Sequence, residues 1–382
     1  LAMTMIMMAV GTFCIGLIPS YHSIGIFAPV LLLVARLVQG FSTGGEYGGA
    51  ATFIAEFAPD KRRGFMGSFL EFGTLIGYVF GAGTVAVLTA TLSHQQLLDW
   101  GWRVPFMIAG PLGLVGLYIR TKLEETPAFK REAELREAEE HARPKLTLKS
   151  LVTEHLRPFL LCVGLVLIFN VTDYMALSYL PSYLSATLHF NETHGLFLVL
   201  IVMVLMMPMT LAFGRLSDAI GRKPVMLAGC VGLIVLSIPS LTLIQTGELV
   251  PVFFGLLILG VLLSCFTGVM PSALPALFPT AIRYGALAIG FNVSVSLFGG
   301  TTPLMTAWLV DVTQNLMMPA YYMMGAAVIG IVSVLALAET ARQPLLGSPP
   351  AVATRREAHQ LVRQLREEED TEIYGVVSTA RA

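Results

Sequence analysis

Hydrophobic residues gather into ten long runs, and polar residues are confined to the gaps between them. The runs cover roughly 1–18, 26–56, 65–92, 103–120, 157–185, 195–214, 224–243, 251–278, 285–309 and 320–338. Each can cross a hydrocarbon layer of about 30 Å at about 1.5 Å per residue. Backbone N–H and C=O groups find no water there, so each run must close its own hydrogen bonds as a helix. The pattern predicts an all-α membrane protein. The longest break, 122–156, is rich in Lys and Glu. Its 124–140 stretch predicts a charge-laced amphipathic helix in water or on the bilayer surface. The expected organisation is a four-span half (1–121), a linker (122–156), a six-span half (157–338) and a tail (339–382).

Composition agrees with the pattern. Hydrophobic residues make up 55% of the 382 and charged residues 13%, against about 25% charged in an ordinary soluble domain. That excludes a soluble enzyme. The net charge of -1 supplies no field to attract nucleic acid. Where the charges sit matters more. Lys61, Arg62 and Arg63 share one gap, and Arg120, Lys122, Lys130, Arg131, Arg136, Arg143, Lys145, Lys149 and Arg157 share or flank the next. Arg215, Arg222 and Lys223 occupy a third, Arg283 a fourth, and six arginines follow the last run. The alternate gaps hold only Arg103. The positive-inside rule therefore places these loops and both chain ends in the cytoplasm. Cys14, Cys162, Cys230 and Cys265 all lie in apolar runs, where they read as small buried hydrophobes. No nucleophile–base spacing, phosphate loop or metal set is present, and no cofactor is implied.

One gap carries a patterned decapeptide, Gly214-Arg215-Leu216-Ser217-Asp218-Ala219-Ile220-Gly221-Arg222-Lys223. Asp218 and Arg222, at i and i+4, can pair on a helical turn. Gly214 and Gly221 allow close backbone approach and tight turning. The G-x-L-x-D-x-x-G-R-K spacing resembles the loop motif of the major facilitator superfamily of transporters. That resemblance implies a cytoplasmic latch between helices, made in one state and broken in the other. The motif follows the second span of the six-span half. The four-span half has no copy, which implies that it is two helices and one loop short of an expected twelve.

Further stretches narrow the resemblance. The second run holds Arg36-Leu37-Val38-Gln39-Gly40-Phe41-Ser42-Thr43-Gly44-Gly45-Glu46-Tyr47-Gly48-Gly49. Positions 36, 39, 43 and 46 share a helix face, so Arg36, Gln39, Thr43 and Glu46 form a polar stripe. Arg36 and Glu46 lie about 15 Å apart along the axis and need separate partners. This stretch is similar to the metabolite:proton symporter family of that superfamily. So are Gly101-Trp102-Arg103-Val104-Pro105-Phe106, Leu123-Glu124-Glu125-Thr126-Pro127-Ala128-Phe129 and Tyr179-Leu180-Pro181-Ser182-Tyr183-Leu184. Thr12-Phe13-Cys14-Ile15-Gly16-Leu17-Ile18-Pro19-Ser20-Tyr21 and the run from Gln314 to Tyr322 resemble its branch that imports zwitterionic osmolytes. The resemblance implies proton-coupled symport of solutes such as proline and glycine betaine across a bacterial inner membrane, with osmotic activation. Within the same family, organic acids such as citrate, oxoglutarate or shikimate are the alternative substrates. A membrane sensor or scaffold without transport is the alternative of another class. Ala358, Leu361, Val362 and Leu365 make an apolar stripe barely two turns long, too short for a coiled coil.

Intramembrane acids are the candidates for proton coupling, because a carboxylate withdrawn from water exchanges its proton closer to neutral pH. Glu71 and Glu46 lead, with Asp173 beside Asn170 and Tyr174 on one helix face. Arg36 is the expected charge partner, pinning Glu71 or binding a substrate carboxylate. Quaternary ammonium ligands are held over aromatic faces, which nominates Tyr78, Tyr174 and Phe266, together with Phe72, Tyr179 and Phe291. Gln39, Asn170 and Asn292 are polar cavity candidates. Gly214, Asp218, Gly221, Arg222 and Lys223 form the candidate gate.

Overall fold

In the computed structural model of the protein, residues 2–122, 155–354 and 356–360 are described. The linker helix expected over 124–140 and the tail stripe from Leu361 onward lie outside them. All ten apolar runs are helical. The first four are α1 (Ala2–Leu17), α2 (Phe27–Phe57), α3 (Arg63–Thr91) and α4 (Val104–Lys122). The last six are α5 (Leu156–Thr187), α6 (Glu192–Ile220), α7 (Arg222–Gln245), α8 (Leu249–Thr267), α9 (Arg283–Thr313) and α10 (Met318–Ala336). Among the described residues, eight helices are long and apolar enough to cross a membrane, and α1 is a shorter apolar helix.

Two helices deviate from a uniform α pitch. α5 turns into π-helix at Tyr174–Tyr179 and again at Tyr183–Thr187, on either side of Pro181. Proline has no N–H to donate, so the ladder must reorganise around it. α9 has a π turn at Val295–Gly299, followed by Gly300. Such bulges rotate the side chains beyond them and are frequent at functional sites.

Packing divides the helices into two groups. α1 packs on α2 and α4. α5 is enclosed by α8, α9 and α10, while α7 packs on α8 and α10 and α6 packs on α8. One continuous apolar core runs through the last six helices. The most apolar window of α5 is 67% buried, that of α2 only 7%. Leu31, Leu32, Leu33, Val34 and Leu37 of α2 are all exposed. In a bilayer such faces carry no aqueous penalty. The groups meet along two seams, α3 against α6 and α2 against α9. Cys162, Cys230 and Cys265 are buried as expected, whereas Cys14 lies on an exposed face of α1.

At the end of the bundle away from the basic loops, Tyr183 joins three elements. Its hydroxyl donates to the Leu316 carbonyl at 2.9 Å and accepts from Gln245 at 3.2 Å, and Gln245 also donates to Leu316. Tyr183→Phe removes this node without changing the ring. It should cost about 1 kcal/mol, read as a lowered unfolding midpoint in detergent.

Candidate functional sites

The basic loops converge on one end of the bundle, and a carboxylate joins the two groups there. Asp218, in the last turn of α6, accepts the N–H of Gly64 at 2.7 Å and of Phe65 at 2.8 Å. These are orphan donors in the first turn of α3, where the helix dipole is positive. A carboxylate from one helix therefore caps the N-terminus of another. Two glycines permit the approach. A Cβ at Gly64 would lie 2.6 Å from the Gly214 carbonyl oxygen, and one at Gly214 would lie 2.6 Å from Ser68 Oγ.

This corrects the expected Asp218–Arg222 pairing within the loop. Gly221 takes φ 105° and ends α6, so the i, i+4 register is broken. Arg222 starts α7 and donates to Thr340 Oγ1 at 2.6 Å. Its Nε and Nη2 are buried without a hydrogen-bond partner. Glu339, beyond α10, accepts the N–H groups of Arg222 and Lys223, each at 3.1 Å. Lys223 Nζ in turn donates to the Leu335 carbonyl at the C-terminus of α10.

Two more buried arginines lie at this end of the bundle, and both sit four residues after a proline. Arg63 follows Pro59 and Arg283 follows Pro279. Each Nε donates eight residues back, Arg63 to Ala55 and Arg283 to Pro275. Arg63 also pairs with Asp60. Arg283 pairs with Glu56 of α2 at 2.6 Å, and both side chains are buried. The chain after α10 crosses the seam and satisfies both guanidiniums, with Gln343 O at 2.7 Å from Arg63 and Leu346 O at 2.7 Å from Arg283. In the sequence Arg63 and Arg283 read as topology charges, and nothing marks Glu56 and Asp60 as their neighbours or Glu339 as the cap of α7. The twice-used P-x-x-x-R spacing is the signal that sets these two arginines apart.

Deeper in the bundle lies a second polar group, built from both helix sets. Glu71 of α3 is 4% exposed. Asp173, at the point where α5 becomes π-helical, is half-buried and interacts electrostatically with Glu71, Tyr78 and Tyr174. Asn170 and Tyr174 both pack on Gly299 of the α9 bulge. Tyr47 of α2, not among the candidates, stacks on Phe291 of α9 with centroids 3.9 Å apart. Its hydroxyl interacts electrostatically with Glu71, yet Tyr47 Oη and Glu71 Oε1 are buried without a hydrogen-bond partner of good geometry.

Other candidates fall elsewhere. Arg36 does not pin Glu71. It donates to Gln39 Oε1 at 3.1 Å, and Gln39 donates to Thr12 of α1, so this part of the stripe ties α2 to α1. The Thr43 side chain lies outside the described residues. Glu46 is half-buried and pairs with no cation among them. Asn292 donates to the Ala288 carbonyl of its own helix. Phe266 has no exposed surface and is wedged over Gly229, in the α7–α8 contact rather than beside the acids. No group of three or more His, Cys, Asp or Glu among the described residues could hold a metal.

Comparison with known proteins agrees with this arrangement. The profile of the Major Facilitator Superfamily matches residues 1–302. The chain belongs to that superfamily. It is 50% identical over 366 residues to the proline/betaine transporter of Escherichia coli K12, covering 95% of this chain and 73% of that protein. It is also 50% identical over 368 residues to the glycine betaine/proline/ectoine/pipecolic acid transporter of Dickeya dadantii, with the same coverages. Among solved structures, a proton:xylose symporter superposes with TM-score 0.69 at 20% identity, covering 90% of this chain and 82% of that one. The Escherichia coli fucose:proton symporter superposes with TM-score 0.62 at 14% identity, covering 87% and 82%. The latter two establish the shared fold.

Asp218→Asn should weaken the α3–α6 seam, because the amide offers a donor where a second acceptor is needed. The loss should be about 1–3 kcal/mol, visible as a lower unfolding midpoint and faster amide exchange at residues 64–68. Glu339 adds a pH dependence. Partial burial pushes its carboxyl up, but the N–H groups of Arg222, Ala341, Lys223 and Thr340 outweigh this and leave its pKa below the ordinary 4.5. A depressed pKa stabilises the fold above the ordinary value, and that contribution fades as pH falls through the folded value. Unfolding midpoints measured from neutral to acidic pH should fall, and less steeply in Glu339→Gln.

Proposed function

We propose that the protein is a secondary active transporter that brings zwitterionic osmolytes, proline and glycine betaine among them, into the cell together with protons. The observation that carries this is 50% identity along 95% of the chain to a proline/betaine transporter. The relatives do not favour the organic-acid alternative. In this reading the basic face is cytoplasmic, as positive-inside asymmetry requires, and the membrane is the bacterial inner membrane. Residues 1–121 and 157–338 act as two bodies that rock about the buried polar group, with 122–156 as their linker.

The site chemistry supports the reading in two ways. A zwitterion needs a negative group for its ammonium, and Glu71 and Asp173 supply two carboxylates from opposite bodies. The same pair can hold a proton, since two acids confined together in low dielectric do not both ionise readily. Tyr78 and Tyr174 interact electrostatically with Asp173, so they stand where aromatic faces can meet a quaternary ammonium. The latch and the Glu56–Arg283 pair hold the cytoplasmic side shut while the polar group is loaded. Both must break for release.

Vesicles containing the protein should accumulate radiolabelled glycine betaine or proline when an inward proton gradient is imposed, more strongly at high osmolality. Glu71→Gln should abolish gradient-driven accumulation while sparing exchange of internal for external solute. Uptake of citrate or oxoglutarate in place of these zwitterions would refute the substrate. Normal accumulation by Glu71→Gln would remove Glu71 from coupling.

A further inference from the structure

The basic face holds a cavity of about 370 Å³, remote from the buried acids and lined by Lys61, Arg62, Arg215, Asp218 and Arg342. Its charges do not balance. Both carboxylate oxygens of Asp218 are taken by the N–H groups of Gly64 and Phe65. Lys61 pairs with Glu357 at 3.2 Å. The Arg342 guanidinium donates only to neutral groups, the carbonyls of Asp218 at 2.7 Å and Ala219 at 3.1 Å, which fix its position without cancelling its charge. The Arg62 and Arg215 guanidiniums make no hydrogen bond or ion pair among the described residues. Three guanidinium groups thus surround one cavity with no carboxylate assigned to them.

We propose that this cavity binds a phosphate group and that the bound anion keeps the α3–α6 seam closed. The guanidinium fork matches phosphate oxygens in a bidentate way, and charge-assisted bonds of this kind are the strong ones. The cations come from both sides of the seam. Arg62 belongs to the turn before α3, Arg215 to α6, and Arg342 is anchored on the end of α6. An anion held by all three therefore adds a bridge beside the Asp218 cap and relieves repulsion between like charges. The phosphate can be a lipid headgroup at the membrane surface or a soluble anion, because the cavity opens at the basic end of the bundle.

The test uses the purified full chain in nanodiscs and needs no transport measurement. Unfolding midpoint and amide exchange at residues 62–68 and 214–222 are followed in phosphatidylcholine discs. The probes are inorganic phosphate at constant ionic strength, and separately admixed phosphatidylglycerol. A higher midpoint with added protection in both segments supports the site. Phosphate acting in pure phosphatidylcholine identifies a soluble ligand, and phosphatidylglycerol acting alone identifies a headgroup. Arg62→Gln and Arg215→Gln should each weaken the response on the order of tenfold. Arg62→Lys and Arg215→Lys keep the charge, lose the fork and should fall between wild type and the glutamine variants. Arg356→Gln, on the same face but outside the cavity, should leave the response intact. No response to either probe overturns the proposal. So does a response that survives both glutamine substitutions, or one that Arg356→Gln reduces equally.

Discussion

The carboxylate of Asp218 on the first turn of α3 is the contact around which the basic end of the molecule is organised. It supplies an anion where a helix dipole is positive and N–H groups would otherwise be orphaned. It comes from a different helix, so satisfying α3 means holding α6 against it. Gly64 and Gly214 let the two backbones approach closely enough for the reach of an aspartate. Glu339 repeats the device on α7, capping its N-terminus from beyond the end of α10. The N-termini of α3 and α7 are thus capped by distant acids, which tie them to α6 and to the end of α10.

The same constraint governs the arginines. Arg63, Arg222 and Arg283 are almost wholly buried, and an unpaired buried charge costs several kcal/mol. Arg63 and Arg283 are satisfied by an acid apiece and by carbonyls three residues apart in the strand of chain after α10. That strand crosses from Asp218 to Asp60, where Ala351 and Asp60 exchange hydrogen bonds. The closed seam is therefore a network whose members depend on one another. Arg222, with two nitrogens unpartnered, is the member left poorly satisfied in this state.

The spans were legible because hydrocarbon forces long apolar helices and tolerates few charges between their ends. The gate motif was legible as a pattern but its partner was not. The i, i+4 rule proposed Arg222 for Asp218, and the positive φ of Gly221 breaks the helix that rule requires. Glu71 and Asp173 stood out as acids inside apolar runs, and the structure brings them together across the two helix groups. Tyr47 did not stand out, because one tyrosine in a glycine-rich run gives no sign that its ring will stack across a seam. Arg36 misled for a related reason. An intramembrane cation suggests an intramembrane anion, yet its bond to Gln39 lies on its own helix. Phe266 was nominated by type alone, and its seat over Gly229 is a property of helix packing that spacing does not reveal.

In the proposed transport cycle the α3–α6 seam opens and closes as solute and proton are carried. Spin labels on the basic ends of α3 and α6, with the protein in lipid nanodiscs, test it directly through pulsed dipolar distance measurement. Without solute, one short and narrow distance is expected, set by the Asp218 cap. Glycine betaine at acidic pH should populate a second, longer distance, and Glu71→Gln should alter its pH dependence. A single distance unchanged by solute and pH would contradict the account.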